Sequence, residues 1–356
     1  MKLTRIDVAL TNFRSFSFRF RKLATTSFLV IATFSSGPLW ANPLAKPSTV
    51  DRSTYLTVIG SRLGNSSDTS SVDAKLGDLQ PLKPGGDASF TAITMGQRID
   101  THWDWKVSTQ STLTEDATSS FSFQDPIDFH QWASNSLRIS TGDFELGYLP
   151  DLLPNSAIRF FGGARVVRAE NSISKTSHVL FTTEQLGEIG LPNDDVAQII
   201  EDKIGSSTIL DLNNSYARTN EVKAIGPRLG MNAEIPLGDN GPRLVTTVSG
   251  SVLFGTSDSN YESAINGSAL GQPVVDETSG SYAQDKKLTN LEASIGLQFD
   301  LSPDATIEFG YRAQAWGGLL NYDNNPSWIA DTVTQGGSTD VKFQGPYLAL
   351  TWKFGS

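Results

Sequence analysis

The last dozen residues, Phe343–Phe354, alternate between two kinds of side chain. Leu348, Leu350, Trp352 and Phe354 fall on one face, with Gln344 in the same parity, while Ala349, Thr351 and Lys353 take the other. Because successive side chains of a strand point to opposite faces, one side of this strand meets an apolar medium and the other a polar one. Closing a chain on such a strand, with rings on its outward face, fits a membrane-spanning sheet. There lipid lies against one side and a polar lumen against the other.

The same texture recurs along the chain. About ten strand-like runs can be drawn, an even number as a closed bacterial barrel requires. They cover Thr54–Leu63, Ala88–Ile99, Trp103–Thr114, Asn135–Leu149 and Ala157–Glu170, then Glu221–Leu237, Arg243–Thr256, Leu288–Leu301, Ala305–Asn321 and Asp340–Phe354. The connections at Asp100–His102, Pro150–Asn155, Gly238–Pro242 and Ser302–Asp304 are tight. Those at Gly64–Asp87, Glu115–Ser134, Asn171–Asn220, Ser257–Lys287 and Tyr322–Thr339 are long. Short and long connections alternate throughout. That is the asymmetry of short periplasmic turns and long external loops, and it places both termini on the periplasmic side. A hairpin within Ser119–His130 would raise the count to twelve. Within the longest loop, Val196, Ile199, Ile200 and Ile204 recur near helical spacing after Asn193, which predicts a short helix over Asp194–Ile204. Such a helix could fold inward as a plug.

Composition removes the main rivals. Hydrophobic residues make up 38% and mean hydropathy is −0.21, and no run long enough for a helical span appears after the N-terminus. Cysteine is absent, which excludes disulfides and thiolate metal sites. Arg14, Arg19, Arg21 and Lys22 precede the apolar stretch Leu23–Phe34, and small Ala41 follows. That order predicts a signal peptide over residues 1–41, with a linker over 42–53 and a barrel over 54–356. Beyond residue 41 the chain carries 22 basic and 37 acidic residues, a net charge near −15. Nucleic acid is a poor partner for such a chain. Expected partners are outer-membrane lipid, lipopolysaccharide, the outer-membrane assembly machinery and small hydrophilic solutes.

The strand faces give candidate functional residues. In one strand Leu291, Ala293, Ile295, Leu297 and Phe299 oppose Glu292, Ser294, Gly296, Gln298 and Asp300, and its neighbours repeat the pattern. By this parity Asp143, Glu145, Arg159, Arg165, Arg228, Glu234, Glu292, Glu308 and Arg312 share the lumen. Two readings stand. The charges line a selective constriction, as charged rings do in pores, or they pair and fill the interior, as side chains do in small barrels. Trp103, Trp105, Tyr148, Trp352 and Phe354 lie at strand ends beside short turns, where interfacial aromatic girdles belong.

Several pieces match a known family in order and approximate spacing. They are Asp143-Phe-Glu-Leu-Gly-Tyr148, Ile158-Arg-Phe-Phe-Gly-Gly-Ala-Arg165 and Gly226-Pro-Arg-Leu-Gly-Met231, followed by Leu253-Phe-Gly255, Phe309-Gly-Tyr-Arg312 and Gly345-Pro-Tyr-Leu-Ala-Leu350. From Asn135 to Phe354 the chain resembles the Legionella major outer membrane protein family of pore-forming barrels. That resemblance implies an outer-membrane location and porin-like activity, and it brings no catalytic residue.

No phosphate-cradling loop, zinc motif or cofactor signature is present in the sequence. Only His102, His130 and His178 supply imidazole, and each reads as a solvated turn or loop residue rather than a catalytic base. The expectation is a non-enzymatic outer-membrane channel without a cofactor, passing small hydrophilic solutes or ions. The alternative is a structural or adhesive barrel with a closed lumen, acting through its external loops. An outer-membrane hydrolase is a third possibility and would need a His or Ser cluster.

Overall fold

The computed structural model describes residues 54–65, 87–114, 117–123, 128–150, 157–183, 202, 208–238, 241–322 and 337–354. All lie within one unit, Lys46–Ser356. The expected signal peptide and linker lie outside the described residues. So does the expected helix, apart from Asp202.

Eleven strands follow one another. They are β1 (Thr54–Asn65), β2 (Ala88–Arg98), β3 (Trp103–Thr114), β4 (Ala117–Phe123), β5 (Asp128–Tyr148) and β6 (Ala157–Thr182), then β7 (Thr208–Pro236), β8 (Arg243–Ala269), β9 (Gln272–Ser302), β10 (Ala305–Tyr322) and β11 (Gly337–Phe354). Each pairs antiparallel with its sequence neighbours, except that β3 and β4 both pair with β5. The register on β5 runs from Trp103↔Tyr148 to Leu113↔Arg138 along β3, then from Ala117↔Asn135 to Phe123↔Phe129 along β4. β3 and β4 therefore form one stave of the wall, and Ser119–His130 adds no further pair of staves. β1 pairs with β11 from Thr54↔Phe354 to Asn65↔Phe343. Ten staves close a ring, an all-β transmembrane barrel in which no strand edge is left to lipid.

The periplasmic turns are tight for local reasons. Asp100 Oδ1 accepts the amide protons of His102 at 2.7 Å and Trp103 at 2.8 Å, an Asx turn. These two bonds stabilise the ionised form and hold the Asp100 carboxyl below its ordinary range. At the next turns, Leu237 N donates to Pro242 O at 2.9 Å, and Lys353 N donates to Asp304 O at 2.8 Å.

On the external side the sheet runs much further than the sequence pattern predicts. Residues 171–182 continue β6 and pair with 208–220 of β7, and 257–269 of β8 pair with 272–284 of β9. What reads as two long loops is largely β-ribbon. These extensions escape a search for apolar alternation because polar side chains occupy both of their faces, the inner one included, where Asn220, Ser257 and Ser259 are buried. The β8–β9 ribbon reverses at Leu270 and Gly271, both at positive φ (51° and 71°). Two such residues in succession give the tight hairpin turn whose twist matches the flanking strands.

Burial divides the faces as the alternation predicts. Ile225, Leu229, Leu291, Ile295, Phe309 and Leu348 point outward and are exposed, whereas Arg228, Glu292, Phe343 and Ala349 point inward and are buried. Ile295→Arg is expected to destabilise the barrel by about 2–4 kcal/mol if it lies near the bilayer midplane, while Gln298→Arg on the inner face costs far less. Urea titration in lipid vesicles checks this, and equal effects would contradict the assigned faces.

Candidate functional site

The inward side chains form two stacked layers. The layer nearer the periplasm is ionic. Arg165 extends from β6 and binds Asp143 of β5 through both ends of its guanidinium, with Nε to Oδ1 at 2.6 Å and Nη2 to Oδ2 at 2.8 Å. Its Nη1 donates to Glu292 of β9 at 2.7 Å and also to Asn290. Arg228 of β7 donates to Asp143 and to Glu145, each at 2.7 Å, and to Glu292 at 3.0 Å. Arg312 of β10 lies 3.4 Å from Glu292 and donates to Gln110 at 3.0 Å. Arg159 joins Glu145 at 3.1 Å and chelates Asp104 of β3 at 2.8 Å. Four arginines meet four carboxylates, so this cluster is neutral as a whole. Its members come from β3, β5, β6, β7, β9 and β10, and it ties opposite walls of the ring together.

Glycine makes one of these pairs possible. A Cβ at Gly147 would stand 2.2 Å from Arg159 Nε and 2.4 Å from Asp104 Oδ1. The bare backbone at this inward position is the space that the Arg159–Asp104 pair fills.

The second layer, on the external side, is apolar. Leu63, Phe90, Ile139, Leu253, Trp316 and Phe343 belong to one continuous cluster that also takes Val167, Val222 and Leu288. Trp316 is 0% and Phe343 1% exposed. Cations cap this layer from below. The Arg312 guanidinium lies 4.1 Å from the centre of the Phe90 ring, and that of Arg165 lies 5.8 Å from the centre of Trp316. A guanidinium over a ring face is attracted by the ring quadrupole, more strongly when desolvated. The register of β10 against β11 is irregular between Trp316 and Leu320, both on β10, so Trp316 and Leu319 both enter the apolar cluster.

Seven of the nine predicted lumen charges meet in the ionic layer: Asp143, Glu145, Arg159, Arg165, Arg228, Glu292 and Arg312. The other two lie apart. Glu308 accepts a hydrogen bond from the Tyr347 hydroxyl, and Glu234 stands 4.0 Å from Arg243. Parity also holds a signal that charge-spotting passes over. Asp104 sits between Trp103 and Trp105 and must face inward if they face out. At the periplasmic rim the rings of Trp103 and Tyr148 are 5.0 Å apart, and Tyr148 and Phe354 are exposed. Trp105 and Trp352 are partly exposed on the same outward parity.

His102 stacks on Tyr148, and His130 on Trp132. His178 Nε2 lies 2.9 Å from Asp211 Oδ1 on the external ribbon. Among the described residues no group of three or more His, Asp or Glu side chains is arranged to hold a metal ion.

The signature of the family described as "Legionella pneumophila major outer membrane protein precursor" matches residues 87–354, well over half of the chain. The chain belongs to this Legionella major outer membrane protein family. The match begins well before Asn135, where the visible resemblance starts, and takes in β2 to β4. Membership places the protein in the outer membrane. No curated protein sequence matches the chain. Among solved structures, the outer membrane protease OmpT of Escherichia coli shares 10% identity at a TM-score of 0.38, covering 86% of this chain and 98% of that one. The toluene transporter TodX of P. putida shares 10% identity at 0.32, covering 86% and 90%. Neisserial surface protein A shares 12% at 0.23, covering 85% and 97%. Scores this low transfer neither a fold nor a role. The barrel rests on its own closed hydrogen-bonded ring.

Proposed function

We propose that this family member is an outer-membrane barrel with a closed lumen, which acts through its external ribbons. The observation that carries this reading is the apolar layer, to which nearly every stave contributes and whose large side chains have almost no accessible surface. An ion moving along the axis would first displace a neutral ionic layer, in which each arginine faces a carboxylate, and then cross a dry one. Neither step is favourable in a low-dielectric interior. In this reading the predicted lumen charges hold the walls together rather than select solutes. Planar-bilayer recording of the refolded protein tests it. The expected result is no steady unitary conductance above background, and reproducible single-channel openings of the wild type would overturn the proposal.

Passive diffusion of small hydrophilic solutes is the second reading. Its support is the pore-forming character that the family resemblance implies, together with the charged ring itself. Under that reading the apolar layer must yield during transport, and the recordings would show openings that depend on solute or voltage.

A further inference from the structure

We propose that Arg168 and Lys223, with Arg138 one step further out, form a site for the phosphate groups of outer-leaflet lipopolysaccharide. The inference rests on the outer-membrane location and is independent of whether the lumen conducts.

The register orders the outer face of β5 to β9 into successive rungs. The outermost apolar rung is Gly142–Val166–Ile225–Phe254, and it reaches Lys287 on β9. Val166, Ile225 and Phe254 are exposed there, as lipid-facing side chains should be. The next rung outward is Ser140–Arg168–Lys223–Thr256–Asp285. Beyond it comes Arg138–Glu170–Glu221–Asp258, then the hydroxyl and amide rung Ser136–Ser172–Thr219–Asn260. Cations thus stand where hydrocarbon gives way to headgroups, and most of the carboxylates lie a rung further out. Lipid phosphates occupy that same boundary.

The two central cations are held together and left accessible. Arg168 Nε lies 2.5 Å from one oxygen of Glu221, and Lys223 Nζ lies 2.9 Å from the other. Their side chains remain 64% and 56% exposed. The carboxylate between the two cations fixes their spacing while both stay exposed. A guanidinium and an ammonium side by side suit a phosphate monoester, the first by its planar fork and the second as a point charge. The serine-rich rung above offers hydroxyls to the sugar that carries the phosphate, and a shallow hollow opens there between Ser134, Ser172 and Thr219.

The test uses the full refolded barrel in detergent micelles and native mass spectrometry, with bis-phosphorylated lipid A as the probe. Arg168→Gln combined with Lys223→Gln is expected to weaken retention of lipid A about 30-fold, the attraction of two basic residues for an anionic lipid surface. Dephosphorylated lipid A should bind the wild type no better than lipid A binds the double variant. Glu221→Gln, which removes the competing carboxylate, should bind lipid A at least as well as the wild type. Unchanged retention in the double variant, or equal retention of dephosphorylated lipid A, would overturn the proposal. So would inorganic phosphate binding as tightly as lipid A, because the site would then be a bare anion site. Heat-modifiable migration reports folding of each variant, and Lys223→Gln alone, expected to weaken retention several-fold, serves if the double variant does not fold.

Discussion

Arg165→Ala is expected to destabilise the barrel by about 3–5 kcal/mol, because it removes one of the two cations that a pair of buried carboxylates share and leaves their charge uncompensated. Arg165 is 0% exposed, and it holds both oxygens of Asp143 and one of Glu292. Arg228 touches the same two carboxylates but cannot also fill the place of the lost guanidinium. Arg165→Met, which keeps much of the packing volume, should recover little of the loss, since the charge imbalance remains. Urea unfolding in lipid vesicles, followed by tryptophan fluorescence, measures both variants. A cost below about 1 kcal/mol, the range of exposed ion pairs, would mean that water already reaches this layer. The closed-lumen reading would then fail along with the prediction.

Trp316→Ala is expected to cost about 3–5 kcal/mol, in the range for removing a large aromatic side chain from a packed interior. The side chain belongs to the apolar layer, and the Arg165 guanidinium lies over its ring. Deleting it removes a large part of the dry barrier and leaves Arg165 facing a void. Combined with Phe343→Ala, the change should produce measurable conductance in planar bilayers where the wild type shows none. A double variant that stays silent while losing stability would show that the ionic layer alone blocks the axis. Retained wild-type stability would mean that Trp316 is not packed as described.

Much of this fold was open to reading from residues alone, for physical reasons. The membrane forces an apolar side chain onto every second residue, the outward one, so Leu291 to Phe299 declare their face without any partner. Tight turns declare themselves through Asp100 and through the Gly238–Pro242 segment. The ribbons beyond the membrane do not, because residues such as 257–269 carry polar side chains on both faces and show no apolar alternation. The apolar layer was hidden for the opposite reason. Where both faces of the wall are apolar the alternation vanishes, leaving pairs such as Val166–Val167 and Leu253–Phe254. Those doublets mark the layer in hindsight. The charges of the site were legible by parity, but their partners were not. That Arg165 would meet Glu292, on a strand more than a hundred residues away, depends on barrel closure and not on local pattern.

The seam between β1 and β11 also governs how the molecule can come into being. Every other join in the ring links strands adjacent or nearly adjacent in the chain, so hairpins can form in sequence, each closing a modest loop. The last join is different, since Thr54 must find Phe354 across the whole length of the barrel domain. Contacts between such distant residues are slow to form, because the entropy of closure comes first and the reward arrives last. Until then β1 and β11 expose two unpaired edges, and the lumen layers have only part of their walls. A partial barrel therefore keeps open edges and an incomplete lumen wall, and the interior can become dry only once the final strand has paired with the first.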